Sequence, residues 1–513
     1  MKRYIFFLFV LTLFSSSFIL LVVSQNGNNP VLVDYIFTNS NIITIDENNP
    51  SAEAIAIDDG VIIGLGSTED IQDNFEVENN TCYDLEGRTI MPGIIDGHSH
   101  YMASLFWIGE TNNIYDAQTL ALSNGYTTLN EKSIDIGEFE WIQEAEQNGT
   151  LRLRVNAFLI YNFAWLENNE TVLVGVWEPD VEPLLDHERK FRIPGFKIYL
   201  DGASGNRGFP AMSDPYTQEM IDLWGIINPY GDLYFNQSEL NSVVDSIHDR
   251  GFSVAVHAMG DRATETILNA IEYALNGTDN DNARHQIEHN SFIREDQIAK
   301  ALTLNTIHSV RGYFPTYWQQ EYADLYSAVW MERTVNRYSL PGEGLHSYLE
   351  TDFGFLHGYD EDNWSKSANI RPFLHMWGLV TRKAIDEYGT IHEPDPWVAE
   401  HGITVEQALR MMTIEGAYAV KQEDYIGSLE VGKYADIIVL TDDPLTIDAD
   451  DLKDIEVMLT MVGGEVEYQW ASHSFPITCE IPTSQTDSTP WIAFIALSGI
   501  LINRYKKRKK LRI

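Results

Sequence analysis

Two histidines one residue apart, His98 and His100, close the run Asp96-Gly-His-Ser-His. Residues i and i+2 of a strand share one face, so both imidazoles can reach a single metal ion at the strand's end. The pair alone is weak, but other positions repeat its logic. His257 ends the apolar alternation Phe252-Ser-Val-Ala-Val-His, His289 ends Arg284-His-Gln-Ile-Glu-His, and Asp352 ends Leu349-Glu-Thr-Asp. Lys197 sits inside the apolar run Phe196-Lys-Ile-Tyr-Leu. A buried lysine is costly unless it is paired or chemically altered. Imidazoles and a carboxylate of this kind point to metal-assisted hydrolysis, in which a divalent ion lowers the pKa of bound water from about 15.7 towards about 7. Zinc suits imidazole ligands, and the mixed donor set also suits iron or manganese.

These residues need a scaffold that delivers strand ends to one place. Eight strand candidates run through the middle of the chain: Gly93–Asp96, Tyr126–Leu129, Leu153–Ile160, Phe196–Leu200, Phe252–His257, Arg284–Glu288, Leu304–Val310 and Ser347–Asp352. Amphipathic helices lie between several of them, near Phe139–Gln147, Glu239–Asp249, from about Asp261, and near Glu295–Leu302. Strands alternating with helices indicate a parallel sheet, and eight of them over about 330 residues indicate an α/β fold, a (β/α)8 TIM-like barrel with insertions. Barrel enzymes place their active sites at the carboxyl ends of the strands, where the candidate ligands lie. Thr404-Val-Glu-Gln407 is a capping box that predicts one helix reaching about Val420. Short β segments flank the barrel on both sides, including the hairpin signal Asp58-Asp59-Gly60 and the stretch Ile426–Leu440. They are expected to pair into one composite subdomain. The expected boundaries are 92–424 for the barrel and 25–91 plus 425–475 for the composite subdomain. On that division Cys82 and Cys479 fall close enough for a disulfide.

Several motifs carry a family resemblance over roughly Val33 to Tyr468: Met91-Pro-Gly-Ile-Ile-Asp-Gly-His-Ser-His100, Lys197-Ile-Tyr-Leu-Asp-Gly-Ala-Ser-Gly205, Val256-His-Ala-Met-Gly-Asp-Arg-Ala263, Arg284-His-Gln-Ile-Glu-His289 and Gly427-Ser-Leu-Glu-Val-Gly-Lys-Tyr-Ala-Asp436. The chain resembles the amidohydrolase superfamily, and within it the amidohydrolase family 3 branch that includes N-substituted formamide deformylases. The resemblance implies a barrel with a β-sandwich built from both chain ends. It implies that His98 and His100 hold one metal and that His257 and His289 hold a second. It implies that Lys197, if carboxylated, bridges them, and that Asp352 binds the first metal and moves a proton. The site then holds one or two ions. Glu-Thr-Asp352 departs from the Gly-Ser-Asp that the family often has.

Other residues have blander readings beside the functional one. Asp261 and Arg262 are substrate-contact candidates, but an acid at a helix N-terminus is the ordinary reading of Asp261. Tyr313, Phe314, Tyr317 and Trp318 follow the seventh strand and could wall a substrate or pack a lid. His285 and His308 read as structural. Strand alternation turns Glu288 away from a metal bound by His289.

The chain has 513 residues, with 34 Lys and Arg against 76 Asp and Glu, for a net charge of −42. Nine of the bases lie in residues 1–24 and 490–513, which hold no acid, so the body between them carries −51. Such a body repels phosphate backbones and makes nucleic-acid binding a poor expectation. Residues 1–24 read as a secretory signal or signal anchor. Residues 476–489 read as a polar linker. The stretch from Trp491 to Ile502 is twelve residues long and spans about 18 Å as a helix. With its flanking aromatic and basic residues it reads as a short membrane anchor followed by a basic tail. The expected whole is an exported, membrane-tethered hydrolase of small-molecule amides, with N-acyl or N-formyl amides favoured and cyclic amides next. A deaminase or isomerase on the same scaffold, and an inactive surface-binding protein, are the alternatives.

Overall fold

The computed structural model describes residues 30–477, apart from 79, 103–113, 168–169, 175–180, 204–207, 313–329, 332, 335–339, 354–369, 386–388 and 472–473. Eight parallel strands form one sheet in sequence order: β1 (Ile94–Ser99), β2 (Tyr126–Ile134), β3 (Arg154–Ile160), β4 (Phe191–Tyr199), β5 (Ser253–Ala258), β6 (Gln286–His289), β7 (Ile307–Val310) and β8 (Ser347–Leu349). Each overlaps one of the eight expected segments. Two backbone hydrogen bonds close the ring just past the strand ends: Asp352 N donates to His98 O (2.9 Å), and His100 N donates to Phe353 O (2.9 Å). Gly97 makes the close approach possible, because a Cβ there would lie 2.0 Å from the Tyr348 ring.

Helices pack their apolar stripes on the outside of the sheet. Asp261–Leu275 buries Ile267, Ala270, Ile271 and Ala274, the period expected of one helical face. Thr404 caps the Val405–Met411 helix through a full capping box with Gln407. That helix does not run on to Val420 as expected. Thr413 leaves helical backbone at φ −137°, ψ −94°, its hydroxyl donates back to Leu409 O, and a second short helix follows over Ile414–Tyr418.

Beside the barrel lies a six-stranded sheet in the order Glu465–Gln469, Val457–Val462, Ile437–Leu440, Thr89–Pro92, Asn41–Ile43, Ser51–Ala52. The central pairing of Ile437–Leu440 with Thr89–Pro92 joins segments from before and after the barrel. A four-stranded sheet (Val61–Gly66, Ala54–Asp58, Tyr35–Thr38, Cys82–Asp84) packs against it through Phe37, Ile55, Ile90 and Val439. Tyr83 also bridges to Ile477, which brings the end of the described chain beside Cys82. Cys82 is disulfide-bonded. The second cysteine of the sequence, Cys479, lies outside the described residues, as do the two terminal apolar segments. Among the described residues no helix is long and apolar enough to cross a membrane.

Candidate metal centre

The carboxyl ends of the strands gather a buried set of donors. His98 Nε2 and His100 Nε2 lie 3.2 Å apart, and Asp352 Oδ1 is 3.4 Å from the first and 3.1 Å from the second. These three atoms come from opposite ends of the barrel sequence and meet where β1 and the segment after β8 close the ring. Asp352 reaches them with φ at +51°, a left-handed conformation that Asp tolerates better than most residues. Asp96 staples the same seam: its carboxylate accepts from His98 N, Thr351 N and Thr351 Oγ1. Burial pushes the Asp96 pKa up to about 8.

The donor types and their spacing suit a cation. His100 Nδ1 lies 2.9 Å from Lys132 O, which can only accept, so the proton belongs on Nδ1. A ring doubly protonated would donate from Nε2 to Asp352 Oδ1; a neutral ring would set the lone pair of Nε2 against that oxygen at 3.1 Å, a contact that a cation between the two relieves. Ligand atoms about 2.0–2.2 Å from a metal lie about 2.8–3.6 Å from one another between octahedral and tetrahedral angles, a range that contains the three spacings. Burial lowers the pKa of His98 well below its ordinary value, with the nearby Lys197 charge adding to the effect; burial likewise lowers His257, with His289 adding. Burial takes His289 down to about 3. All three are therefore neutral, the form that ligates metals. The residues fit a divalent ion.

Carboxylates stand behind two of the rings. Glu350 Oε1 bonds His289 Nδ1 at 2.7 Å, while Glu288 Oε1 lies 3.2 Å from His98 Nδ1 without a hydrogen bond to it. Arg311 reaches Glu350 through Nε and Asp352 Oδ2 through Nη2, leaving Oδ1 of Asp352 turned to the histidines. Burial pushes Glu350 up, but His289 and Arg311 hold its pKa well below the usual carboxylate range.

Glu288 corrects an expectation. It points into the barrel, as does Gln286 two residues earlier, while Ile287 packs outside in the apolar core. Alternation should then turn His289 outward. It does not, because His289 has φ +70° and swings its ring inward beside that of His257, centroid to centroid 4.5 Å. Lys197 meets its burial cost through pairing: Nζ donates to Glu288 Oε2, and Lys132 Nζ lies 3.3 Å from Oε1 of the same carboxylate.

The remaining candidates divide. His257 stands in the mouth with Nε2 buried, without a hydrogen-bond partner and 3.6 Å from Asp201 Oδ1. Asp261 is fully engaged, accepting from Ser213, Arg294 and Arg333. Arg262 holds the 230–231 loop through the carbonyls of Tyr230 and Gly231. Both therefore brace loops above the barrel. Tyr313 and Trp318 lie outside the described residues. His308 bonds Thr306 and Asn290, and His285 bonds His248 and Val254 N, as structural histidines do. Glu350, Arg311 and Lys132 were missed. Glu350 had a signal in its two-residue spacing from Asp352, the spacing that marks His98 and His100. Lys132 had the signal that marked Lys197, a lysine inside a barrel strand.

Comparison with known proteins agrees with this fold. The amidohydrolase family matches residues 116–468, and the chain belongs to that family. Membership puts it among hydrolases of carbon–nitrogen bonds other than peptide bonds. His98 and His100 lie ahead of the matched span. The N-substituted formamide deformylase of Arthrobacter pascens is 21% identical over 560 residues, covering 85% of this chain and 98% of that protein. A metal-dependent hydrolase of Pyrococcus furiosus superposes with a TM-score of 0.59 at 19% identity, over 80% of this chain and all of that one. Molinate hydrolase superposes with a TM-score of 0.57 at 16% identity, over 92% of this chain. At these identities the structural likenesses speak for the fold.

Proposed function

We propose that the protein hydrolyses small N-acyl or N-formyl amides to a carboxylate and an amine, with cyclic amides the next substrate class. The observation that carries this reading is the meeting of His98 Nε2, His100 Nε2 and Asp352 Oδ1 within 3.4 Å in a buried mouth. The likeness to a formamide deformylase over nearly the whole of that enzyme supports the substrate class. His98, His100 and Asp352 would hold a divalent ion, zinc or alternatively iron or manganese, which supplies Lewis acidity towards water and a carbonyl oxygen.

The chain's own residues do the rest. Asp352 takes the proton of the attacking water and passes it to the departing amine nitrogen. Arg311 pairs with Oδ2 and so fixes the carboxylate with Oδ1 facing the histidines. His257 Nε2, buried and without a hydrogen-bond partner, is free to engage the substrate or a second ligand in the mouth. Wild-type protein assayed on a series of N-formyl and N-acyl amines, with metal content measured alongside, tests the reading. Amine and carboxylate in equal amounts are expected. Ammonia as the nitrogen product would mean deamination, and protein that holds no metal and regains none would end the hydrolase reading.

The terminal segments support a proposal of export and tethering, with the acidic body facing outward. A chain cut after Thr489 should leave the membrane fraction without detergent while the full chain stays. Equal solubility of the two would refute the tether.

A further inference from the structure

Below the histidines, towards the amino ends of the strands, the barrel is floored by a polar layer. Asn130 from β2, Asn156 from β3 and Arg192 from β4 are buried there and bonded in a row. The segment 416–422 supplies carbonyls to this floor. Gly416 O accepts from Asn130 Nδ2 (3.3 Å), Ala419 O from Gln286 Nε2 (2.8 Å) and Val420 O from Arg192 Nη1 (2.9 Å).

The layer has more donors than acceptors. Arg192 can only donate, so the Asn156 atom facing its Nη1 at 3.0 Å is Oδ1. Asn156 Nδ2 must then donate, to Asn130 Oδ1 (2.9 Å) and to Gln422 Oε1 (3.1 Å). The amide of Gln422 is thereby fixed with Nε2 on the far side, buried and without a partner. Arg192 spends N–H groups on Asn156 Oδ1, Val420 O and Leu185 O, while its Nε is buried and also without a partner. Charge is in surplus as well. Burial lowers the Arg192 pKa to about 10, which leaves the group charged at neutral pH. Other arginines of the barrel are neutralised on contact: Arg154 by Asp436, Arg284 by Glu423, and Arg311 by Glu350 and Asp352. Arg192 makes no such pair among the described residues, and the carboxylates that act on it, Asp186 and Glu423, do so through space. Lys421, beside Gln422, is half-buried and has no ion-pair partner among them either; burial lowers its pKa, with Arg284 and Arg192 adding to the effect. A water molecule here would bring two further donors and leave the charge uncompensated. A small anion accepts only, and cancels the charge.

We propose that the barrel floor is a binding site for a small inorganic anion of the halide class, held by Arg192 Nε and Gln422 Nε2. The anion fastens the 416–422 segment to β3 and β4 at the end of the barrel away from the histidines. Its effect is therefore on stability: a ligand that binds the folded chain and not the unfolded one raises Tm in a saturable way.

The test measures Tm of the full-length protein in sodium chloride, sodium bromide and sodium methanesulfonate at equal ionic strength. Chloride and bromide are expected to raise Tm by a few degrees and to saturate. Arg192→Gln removes the charge and should abolish the response. Gln422→Glu keeps the acceptor for Asn156 and places a carboxylate beside Arg192, so it should be more stable than the wild type in methanesulfonate and indifferent to halide. That second variant decides the matter if Arg192→Gln fails to fold. Crystals grown in bromide should show the ion against Arg192 Nε by anomalous scattering. Equal Tm in the three salts would overturn the proposal. So would a halide response that persists unchanged in Gln422→Glu, which would place the ion elsewhere on the molecule, or bromide found only at other positions.

Discussion

The two sides of the barrel mouth are built from the same residue types but are not equivalent. On the β1–β8 side, His98, His100 and Asp352 bring three donor atoms within 3.4 Å of one another, and backbone hydrogen bonds across the seam fix their spacing. On the β5–β6 side, His289 Nδ1 is bonded to Glu350 and its looser groupings with His98 and Asp352 span up to 4.8 Å, and His257 Nε2 has no hydrogen-bond partner. The first side is organised to hold an ion before substrate arrives. The second leaves a neutral imidazole pointing into the mouth. Closing the ring and assembling the ligands are one event on the first side, so ligand geometry there inherits the rigidity of the barrel.

Removing the β1–β8 donors should have the largest effect. His98→Ala/His100→Ala is expected to lose the metal and at least about 10³-fold in kcat/KM, since the Lewis acid supplies several kcal/mol of transition-state stabilisation. His257→Ala should lower turnover but keep the ion. Metal content and kinetics measured on both would break the comparison if the losses were equal. Asp352→Asn comes next. It keeps the shape but gives up the charge and the proton acceptor, and about 10²–10⁴-fold in kcat is expected. A Glu350→Gln variant should cost less, about 10–100-fold, because its carboxylate acts through His289 and Arg311. If Glu350→Gln were as damaging as Asp352→Asn, the second side would be holding an essential ligand and the asymmetry would fail.

The asymmetry also explains what the sequence could and could not tell. Barrel strands were legible because each is a short apolar run followed by a helix with one apolar stripe, as in Phe252–His257 and Asp261–Leu275. The histidines were legible because they end such runs. Alternation failed at one place, and backbone caused the failure. His289 adopts φ +70°, so Glu288 and His289, neighbours in sequence, both face inward. The signal for it was weak: His289 and Asn290, at φ +70° and +43°, are of types that enter the left-handed region more readily than most, but neither marks a turn as glycine does. Glu350 and Arg311 escaped for a different reason. Their importance lies in what they touch, and contacts between β6, β7 and β8 depend on closure of the ring. The break at Thr413 was equally hidden, since its side chain competes with the helix backbone only once Leu409 O is beside it.

The smallest effect on catalysis should come from a buried ion pair between the barrel and the composite sheet. Arg154, at the start of β3, binds Asp436 through two hydrogen bonds of 2.7 and 3.1 Å, and Asp436 also accepts from Gly463 N. Both side chains are buried, and the Tyr434 ring covers the guanidinium at 4.5 Å. Arg154 lies at the amino end of its strand, the opposite end of the barrel from the histidines. Replacing it with Met strands the Asp436 carboxylate and should cost about 3–5 kcal/mol of stability, read as a fall in Tm. Among molecules that remain folded, kcat and metal content should be unchanged. Pairing Arg154→Met with Asp436→Asn should recover part of the lost Tm, because no unbalanced charge then remains buried. A loss of metal in Arg154→Met at temperatures where the protein is still folded would mean that the seam depends on the composite sheet, and that the barrel does not by itself set the geometry of its ligands.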